Sequence, residues 1–177
     1  MTEITEWKDA VEYTEFLESA RENVEIMKAR FNDLMVSEHE EDVLKGIQNE
    51  IKILVISTDK CYDTAGNLPV LARMASFSSK VEIRILDSDK NARFHQNYRV
   101  NGKRKTPVVL FLNNELIELC RWVERPNAVY KLINESNGSE DLHSELRKIY
   151  SDPEILRQSF TELMGLLPRA DYLLGRK

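Results

Sequence analysis

The sequence predicts an α/β fold in which helices flank a mixed four-stranded sheet. Three observations support this prediction. Residues 51–57 form a continuous apolar run, which is typical of a strand that is covered on both faces. Residues 81–86 alternate apolar with charged side chains, as strands do. Residues 108–112 and 116–120 flank the pair Asn113-Asn114, which favours a hairpin.

Helical segments separate these strands and determine how they pair. Residues 65–77 carry apolar side chains at helical spacing, so the first two strands are joined through a helix. Strands connected in this way run parallel in a right-handed unit. A short helix or turn is predicted over 91–98, and a further helix begins at Pro126. The hairpin then adds two antiparallel strands to the parallel pair.

Helices are also predicted before and after the sheet. Residues 5–48 have helical apolar spacing without proline, which predicts two helices, or one broken near 19–23, and a third over 40–48. We therefore expect an α/β core with helices added at each end of the chain. The predicted units are an amino-terminal helical extension packed on the core at 1–48, the core at 49–136 and a carboxy-terminal helical extension at 137–177.

The carboxy-terminal extension starts at Asn137-Gly138-Ser139, whose composition is typical of a linker. Helices are predicted over 140–150 and 152–167. The second has a strong start, because Asp152 suits the N-cap and Pro153 suits the first helical position. We expect its apolar face to pack on the main domain or on a second subunit, in a homodimer through the terminal helices. That face consists of Phe160, Leu163, Met164 and Leu167.

Composition argues against several classes of function. The chain has 177 residues, a net charge of -5 and two cysteines. Two cysteines make no disulfide framework, and the acidic amino terminus does not resemble a secretory signal, so we expect a reducing cytoplasm. Mild acidity argues against nucleic acid as a partner, and no apolar run approaches the roughly 18 residues of a membrane span. Scattered histidines and the lack of a glycine-rich phosphate loop predict no metal and no cofactor.

Cys61 is the candidate catalytic residue, because the first core strand delivers it to the start of the next helix. Redox proteins carry Cys-x-x-Cys at such a position, but the fourth residue here is Thr64. A disulfide reductase attacks with one thiolate and resolves the mixed disulfide with a second thiol. Cys120 falls in the last predicted strand, where we expect it to lie too far away to act as that thiol.

Opposing influences act on a Cys61 thiolate. The helix amino terminus and Lys60 favour the anion, and the Thr64 hydroxyl could donate a hydrogen bond to the sulfur. Asp63 opposes all three. The alternative is that Cys61 is an unreactive residue at a helix cap.

Several local features of this chain resemble the thioredoxin fold. Pro69 follows Cys61 by eight residues, Thr106-Pro107 opens the third core strand, and residues 87–91 follow the second core strand. More narrowly, the chain is similar to a bacterial and archaeal branch of thioredoxin-like proteins with an amino-terminal helical extension. That branch carries Trp-Cys-x-Asp-Cys, Asn-x-Pro and Trp-x-x-Arg-Pro-like segments. The matching segments here are Lys60-Cys61-Tyr62-Asp63-Thr64, Asn67-Leu68-Pro69 and Trp122-Val123-Glu124-Arg125-Pro126.

Departures from the family pattern affect the expected chemistry. Lys60 replaces the tryptophan, and Thr64 replaces the second cysteine. Val55 and Ile85 stand where thioredoxins carry a buried aspartate and the lysine that assists it. The resolving thiol and its proton-handling support are therefore both missing.

The resemblance implies thiol-disulfide exchange or mixed-disulfide formation through a single thiol. Cys61 would be the nucleophile, Thr64 would support its thiolate, and a separate thiol would resolve the product. The partners would be proteins or low-molecular-weight thiols and disulfides. A cis peptide bond before Pro107 would expose the backbone of Thr106 to an extended substrate. The implied substrate-binding residues are Lys60, Tyr62, Thr106, Pro107 and Trp122.

Structural roles are the alternative for several of these residues. Trp122 could simply pack, Pro107 could simply open a strand, and the basic loop 101–105 could be solvated. Otherwise that loop forms, with Lys60 and Arg125, a basic rim suited to an acidic thiol or peptide. For the whole protein, the alternative is a redox-inactive module that binds a peptide or protein. A third hypothesis is that Thr64 was introduced deliberately to trap substrates.

Overall fold

A computed structural model describes residues 3–136, 138 and 141–175. Asn137 and Ser139 of the predicted linker lie outside the described residues. The chain forms a five-stranded mixed sheet with the order β1-β3-β2-β4-β5. β2 and β3 are parallel, and the other three pairings are antiparallel. The strands are β1 Val11–Glu12, β2 Ile51–Ser57, β3 Val81–Asp87, β4 Val108–Leu112 and β5 Glu118–Val123.

Helices precede, connect and follow the strands. Two 3-10 helices, Thr5–Asp9 and Gln96–Tyr98, accompany the α-helices. The predicted start at Asp152 is confirmed, because its side chain accepts a hydrogen bond from the Glu154 amide at 2.8 Å. The α-helices are α1 Tyr13–Ser19, α2 Val24–Asp33, α3 Glu38–Lys45, α4 Tyr62–Ala75, α5 Ala92–His95, α6 Asn127–Glu135, α7 Leu142–Ile149, α8 Pro153–Met164 and α9 Leu166–Gly175.

The predicted α/β fold is confirmed, with two corrections to the sheet. The sheet has a fifth strand, β1, which is only two residues long and pairs with the edge of β3. The predicted hairpin is confirmed by the antiparallel pairing of β4 with β5, but its second strand is Glu118–Val123 rather than 116–120. The Asn113 side chain accepts hydrogen bonds from the Glu115 and Ile117 amides, and Leu116 adopts a positive φ of 58°. These contacts stabilise a longer loop.

Apolar side chains cover the sheet on both faces, as the continuous apolar run of β2 predicts. Ile53 and Val55 lie in one buried cluster with residues of α2, α4 and α8. Leu54 and Ile56 lie in a second cluster, which includes Trp7 from the first 3-10 helix. All four β2 side chains are fully buried. β2 is therefore a central strand covered on both faces, and the chain continues from its end to Cys61.

The carboxy-terminal helices pack on the same chain. Phe160 and Leu163 of α8 and Leu167 of α9 are fully buried in the cluster that contains α4. The apolar face predicted for this segment is therefore used within the subunit. The helix predicted over 152–167 ends at Met164, and α9 follows after Gly165. No helix in the described part of the chain is long and apolar enough to cross a membrane.

Gly66 in α4 marks a close contact between three parts of the fold. A Cβ atom at Gly66 would lie 2.3 Å from the ring of Tyr150, the residue after α7. Arg30 of α2 donates to the carbonyl oxygens of Gly66 at 2.8 Å and of Tyr150 at 2.6 Å. The missing side chain thus allows the Tyr150 ring to rest directly on α4.

We predict that Gly66→Ala lowers the free energy of unfolding by about 1–3 kcal/mol, because the added methyl group overpacks against the Tyr150 ring. Alanine is normally the better helix former by roughly 0.5–1 kcal/mol, so the sign of the change is diagnostic. Urea unfolding measures it. Gly165→Ala is the matched control, because its Cβ would meet only the Glu162 carbonyl oxygen at an ordinary 3.5 Å. Equal stability changes in the two variants would contradict the prediction.

Candidate functional site

Cys61 lies beyond the carboxyl end of the central strand β2, beside the segment that opens β4. It occupies the N-cap of α4, four residues after the end of β2, and its side chain is half-buried. Because β2 and β4 are antiparallel neighbours, the end of one lies beside the start of the other. The Cys61 Sγ consequently lies 3.4 Å from the carbonyl oxygen of Thr106. The Thr106–Pro107 peptide bond is cis.

Thr64 occupies the position of a resolving cysteine but is fully buried. Its Oγ1 lies 2.8 Å from the Oγ of Ser57, the last residue of β2, which is also fully buried. The hydrogen bond that this hydroxyl makes thus goes to Ser57 rather than to the Cys61 sulfur. Thr64 is therefore a buried residue whose shown contact ties the first turn of α4 to the end of β2.

Cys120 lies far from Cys61 along the sheet. It pairs with Phe111 of β4, which pairs with Ile53, four residues before the end of β2. Four residues of strand span about 13 Å, and two strand spacings add to that separation. Both cysteines are free thiols. Burial raises the pKa of Cys120, which makes its thiolate scarcer at neutral pH.

Asp63, in the first turn of α4, has a carboxylate that is closed to solvent. One oxygen accepts a hydrogen bond from the Tyr150 hydroxyl at 2.6 Å, and the other accepts from Nη2 of Arg125 at 2.7 Å. The Asp63 and Arg125 side chains are only 3% and 8% exposed. Burial raises the pKa of Asp63 to about 6, although the Tyr150 hydrogen bond and the Arg125 charge both act to lower it.

Glu124 is the second buried carboxylate. It accepts hydrogen bonds from Arg125 Nη2 at 2.9 Å, Lys105 Nζ at 2.8 Å and the Tyr130 hydroxyl at 2.6 Å. Burial opposes its ionisation, but the hydrogen bonds from Lys105 and Tyr130 bring the pKa of Glu124 below its ordinary value. Its backbone N–H donates to the Pro107 carbonyl oxygen at 2.8 Å. We call Asp63, Arg125 and Glu124 the buried charge cluster, to which Lys105, Tyr130 and Tyr150 donate hydrogen bonds.

The flanking residues predicted to bind substrate lie in different environments. Lys60 is exposed. The Tyr62 ring contacts His143 of α7 edge to face, with ring centroids 4.4 Å apart. Trp122 is only 9% exposed, belongs to the core cluster with α4 and α8, and donates from Nε1 to Glu162 at 2.7 Å. Trp122 therefore packs in the core, which was the alternative to its predicted role in binding, and its side chain offers no open recognition surface.

The predicted basic rim is largely neutralised by partners. Arg125 is buried against Asp63 and Glu124, and Lys105 also pairs with Glu124. Arg104 donates to the Ser88 carbonyl oxygen at 3.2 Å. Arg104 also lies 4.0 Å from Asp89, so three of the five cations in the predicted rim have acidic partners.

The family-like segments converge in the structure, which is not among the features predicted from the sequence. Asn67 donates to the Tyr150 hydroxyl at 3.0 Å, so Asp63, Asn67 and Arg125 all meet around Tyr150. A signal for this was present in the sequence. Asp63 and Asn67 are four residues apart on a helix whose neighbouring side chains are small or apolar, which places two polar groups on one buried face.

The described residues contain a cavity away from Cys61 and no group of metal-ligating side chains. A cavity of about 490 Å³ lies between α2 and α8, and its lining includes neither Cys61 nor Pro107. Its apolar lining residues include Ile26, Leu34 and Leu156. Within residues 3–136, 138 and 141–175, no three side chains are grouped as metal ligands. Cys61 and the segment before β4 therefore remain the candidate site.

Comparisons with known proteins agree with this fold. A family model described as thioredoxin matches residues 10–142. None of the curated proteins matches the chain. The crystal structure of PA1234, a protein of unknown function from Pseudomonas aeruginosa, is 19% identical, has a TM-score of 0.73 and covers 96% of this chain and 99% of that protein. The crystal structure of an HIV epitope-scaffold is also 19% identical, with a TM-score of 0.71 and coverage of 94% and 98%. At this identity the two structures show the fold alone.

The raised pKa of Asp63 predicts a specific dependence of stability on pH. Between its ordinary pKa of 3.8 and the folded value of about 6, the folded state binds the proton more tightly than the unfolded state. The stabilisation is fully present below pH 3.8 and is lost as the pH rises through 6. The difference in unfolding free energy between the unmodified protein and Asp63→Asn should therefore fall by roughly 2 kcal/mol from pH 4 to 7.

Urea unfolding at a series of pH values measures this difference. Asp171→Asn is the control of opposite sign, because backbone hydrogen bonds from Asn49 and Gln48 outweigh burial and lower the pKa of Asp171. Its stabilisation is present above pH 3.8 and is lost as the pH falls. A pH-independent difference for Asp63→Asn would contradict the assignment of a buried, proton-binding carboxyl.

Proposed function

Because the chain belongs to the thioredoxin family, we propose that it exchanges thiols and disulfides through one sulfur, that of Cys61. The supporting observation is the half-buried Sγ at the N-cap of α4, 3.4 Å from the Thr106 carbonyl oxygen and beside Pro107. Arg125 pairs with the Asp63 carboxylate, so the acidic charge two residues after Cys61 is balanced by a cation.

The proposed reaction has two exchange steps. The Cys61 thiolate attacks one sulfur of a substrate disulfide, a new disulfide forms between Cys61 and that sulfur, and the other substrate sulfur leaves as a thiolate. Thr64 has no sulfur with which to attack the new bond. A thiolate from another molecule therefore attacks the substrate sulfur of the mixed disulfide and releases the Cys61 thiolate. Each step breaks one S–S bond and forms one, so no further oxidant is needed.

The proposed substrate lies along the Thr106–Pro107 segment. Thr106 supplies backbone groups for an extended peptide, and Lys60 and Tyr62 flank the sulfur. The partners would be protein disulfides and low-molecular-weight thiols of a reducing cytoplasm. We assign the chain to the branch with an amino-terminal helical extension and a Cys-x-Asp-Cys motif, with Thr64 in place of the second cysteine. Trp122 is left out of the groove because of its burial.

A redox-inactive binding module is the second candidate function. The buried hydroxyl pair of Ser57 and Thr64 favours it, since this pair fills the place where dithiol chemistry would occur. In that case the groove beside Pro107 would hold a peptide or protein without covalent chemistry. Cys61→Ser would then leave partner binding unchanged, whereas it abolishes the exchange reaction of the first candidate.

Oxidised glutathione should add one glutathionyl group to the native protein, and the adduct should map to Cys61. Intact-mass measurement followed by peptide mapping detects it. Cys61→Ser should form no adduct. Cys120→Ser is the matched control and should react like the unmodified protein, because burial raises the pKa of Cys120 and keeps its thiolate scarce. A folded protein whose Cys61 stays unmodified would exclude the exchange reaction and favour the binding module.

Thr64→Cys should convert the lasting mixed disulfide into a transient one. Residues three apart at a helix start lie within the roughly 7 Å that a disulfide spans, so the introduced thiol can attack the adduct on Cys61. The expected product has two fewer free thiols than the reduced Thr64→Cys variant and carries no bound glutathione. Thiol titration and intact mass distinguish it from the parent. Thr64→Ser, which adds no sulfur, should keep the adduct; persistence of the adduct in both variants would contradict the assigned geometry.

A further inference from the structure

We infer that Arg125 is the positioning residue that sets the distance between Cys61 and the Thr106–Pro107 segment. This inference rests on the proposed exchange reaction at Cys61, and it adds the substrate class: extended peptides that carry a disulfide. Arg125 touches neither the sulfur nor the proposed substrate. It acts through the two carboxylates that hold the two sides of the groove.

The bridge runs through one nitrogen atom. Nη2 of Arg125 donates to Asp63 Oδ2 at 2.7 Å and to Glu124 Oε1 at 2.9 Å. Asp63 belongs to the first turn of α4, two residues after Cys61, so it fixes the helix start that carries the sulfur. One guanidinium nitrogen is thus shared between the helix of Cys61 and the segment before α6.

Glu124 holds the opposite side of the groove at two points. Its carboxylate accepts from the side chain of Lys105, and its backbone N–H donates to the carbonyl oxygen of Pro107. Lys105 and Pro107 flank Thr106 in the chain, so both neighbours of Thr106 are tied to Glu124. Its φ of 71° lies in the left-handed region, which a glutamate adopts only when its surroundings hold it there.

Removal of the Arg125 charge would leave two buried carboxylates close to each other without a cation. The side chains of Asp63, Glu124 and Arg125 are all less than 10% exposed, so water does not replace the lost partner. Two carboxylates in such a place do not both stay ionised, so one of them takes up a proton and the bridge between α4 and Glu124 is lost. The segment of Glu124 can then leave its strained conformation, and Thr106 moves away from Cys61.

A wider gap affects substrates unequally. An extended peptide must contact the Thr106 backbone while its disulfide meets the Cys61 sulfur, so its reaction depends on the distance between the two. Iodoacetamide needs only the sulfur. A positioning role therefore lowers the rate for the peptide and spares the rate for iodoacetamide, whereas a change in the thiolate itself alters both.

The test compares second-order rates of Cys61 modification in Arg125→Gln, Arg125→Lys and the unmodified chain. The two reagents are an extended peptide with an internal disulfide and iodoacetamide. For Arg125→Gln we expect the peptide rate to fall at least tenfold and the iodoacetamide rate to change less than threefold. Arg125→Lys should stay within about threefold on both, because one ammonium nitrogen can bridge both carboxylates. Arg121→Gln is the matched control from β5, since Arg121 pairs with Glu118 and is half-exposed.

Each outcome separates this inference from the proposed function. Equal losses with both reagents, or an unchanged peptide rate in Arg125→Gln, would overturn the positioning role while leaving the exchange reaction intact. An unmodified Cys61 in the parent protein would instead reject the exchange reaction. If Arg125→Gln does not fold, Lys105→Met removes only the tie on the Thr106 side. That variant should lower the peptide rate about threefold and spare iodoacetamide, and an equal effect on both reagents would again overturn the inference.

Discussion

The buried salt bridge between Asp63 and Arg125 is the contact on which the placement of Cys61 depends. Two charges closed to solvent lose several kcal/mol of hydration each, and their attraction offsets this only with good geometry and additional hydrogen bonds. Tyr150 supplies one such bond to Asp63, and Glu124 shares the Arg125 nitrogen. A pair of this kind adds little net stability compared with apolar packing, but the loss of either partner costs about 3–5 kcal/mol. Its main effect is to select one arrangement of the segments around α4.

The terminal helices are part of that arrangement rather than additions to a finished core. Arg30 of α2 binds the carbonyl oxygen of Tyr150, the Tyr150 ring rests on Gly66, and the Tyr150 hydroxyl reaches Asp63. A chain of direct contacts thus runs from the amino-terminal helices through the residue after α7 to the first turn of α4. The turn that carries Cys61 is consequently fixed by residues from both ends of the sequence. The same contacts explain why a glycine, which weakens a helix interior, occurs in the middle of α4.

The sequence predicted the fold well where the signals are local. The apolar run of β2, the alternation in β3 and the Asp152-Pro153 start each depend on a few consecutive residues. β1 was not predicted, because two residues show no periodicity and only their pairing with β3 makes them a strand. The buried charge cluster was not predicted either, because it too depends on contacts between residues that are distant in the sequence. Arg125 and Tyr150 lie 62 and 87 residues from Asp63, so no local pattern indicates that the three side chains meet. The strand predicted over 116–120 stops before Trp122, so the burial of that side chain in β5 has no local signal either.

The Ser57–Thr64 pair explains how the site can lack a resolving thiol without a defect in the fold. Ser57 is fully buried at the end of β2, and a buried hydroxyl without a partner costs about 1–3 kcal/mol. A thiol is a weak hydrogen-bond partner, whereas the Thr64 hydroxyl, at 2.8 Å, is a full one. Threonine therefore satisfies Ser57, while the buried charge cluster holds the first turn of α4 through Asp63 and the Thr106 carbonyl oxygen lies against the sulfur. In the proposed reaction, the protein thus keeps the parts of the fold that present one sulfur and leaves resolution to another molecule.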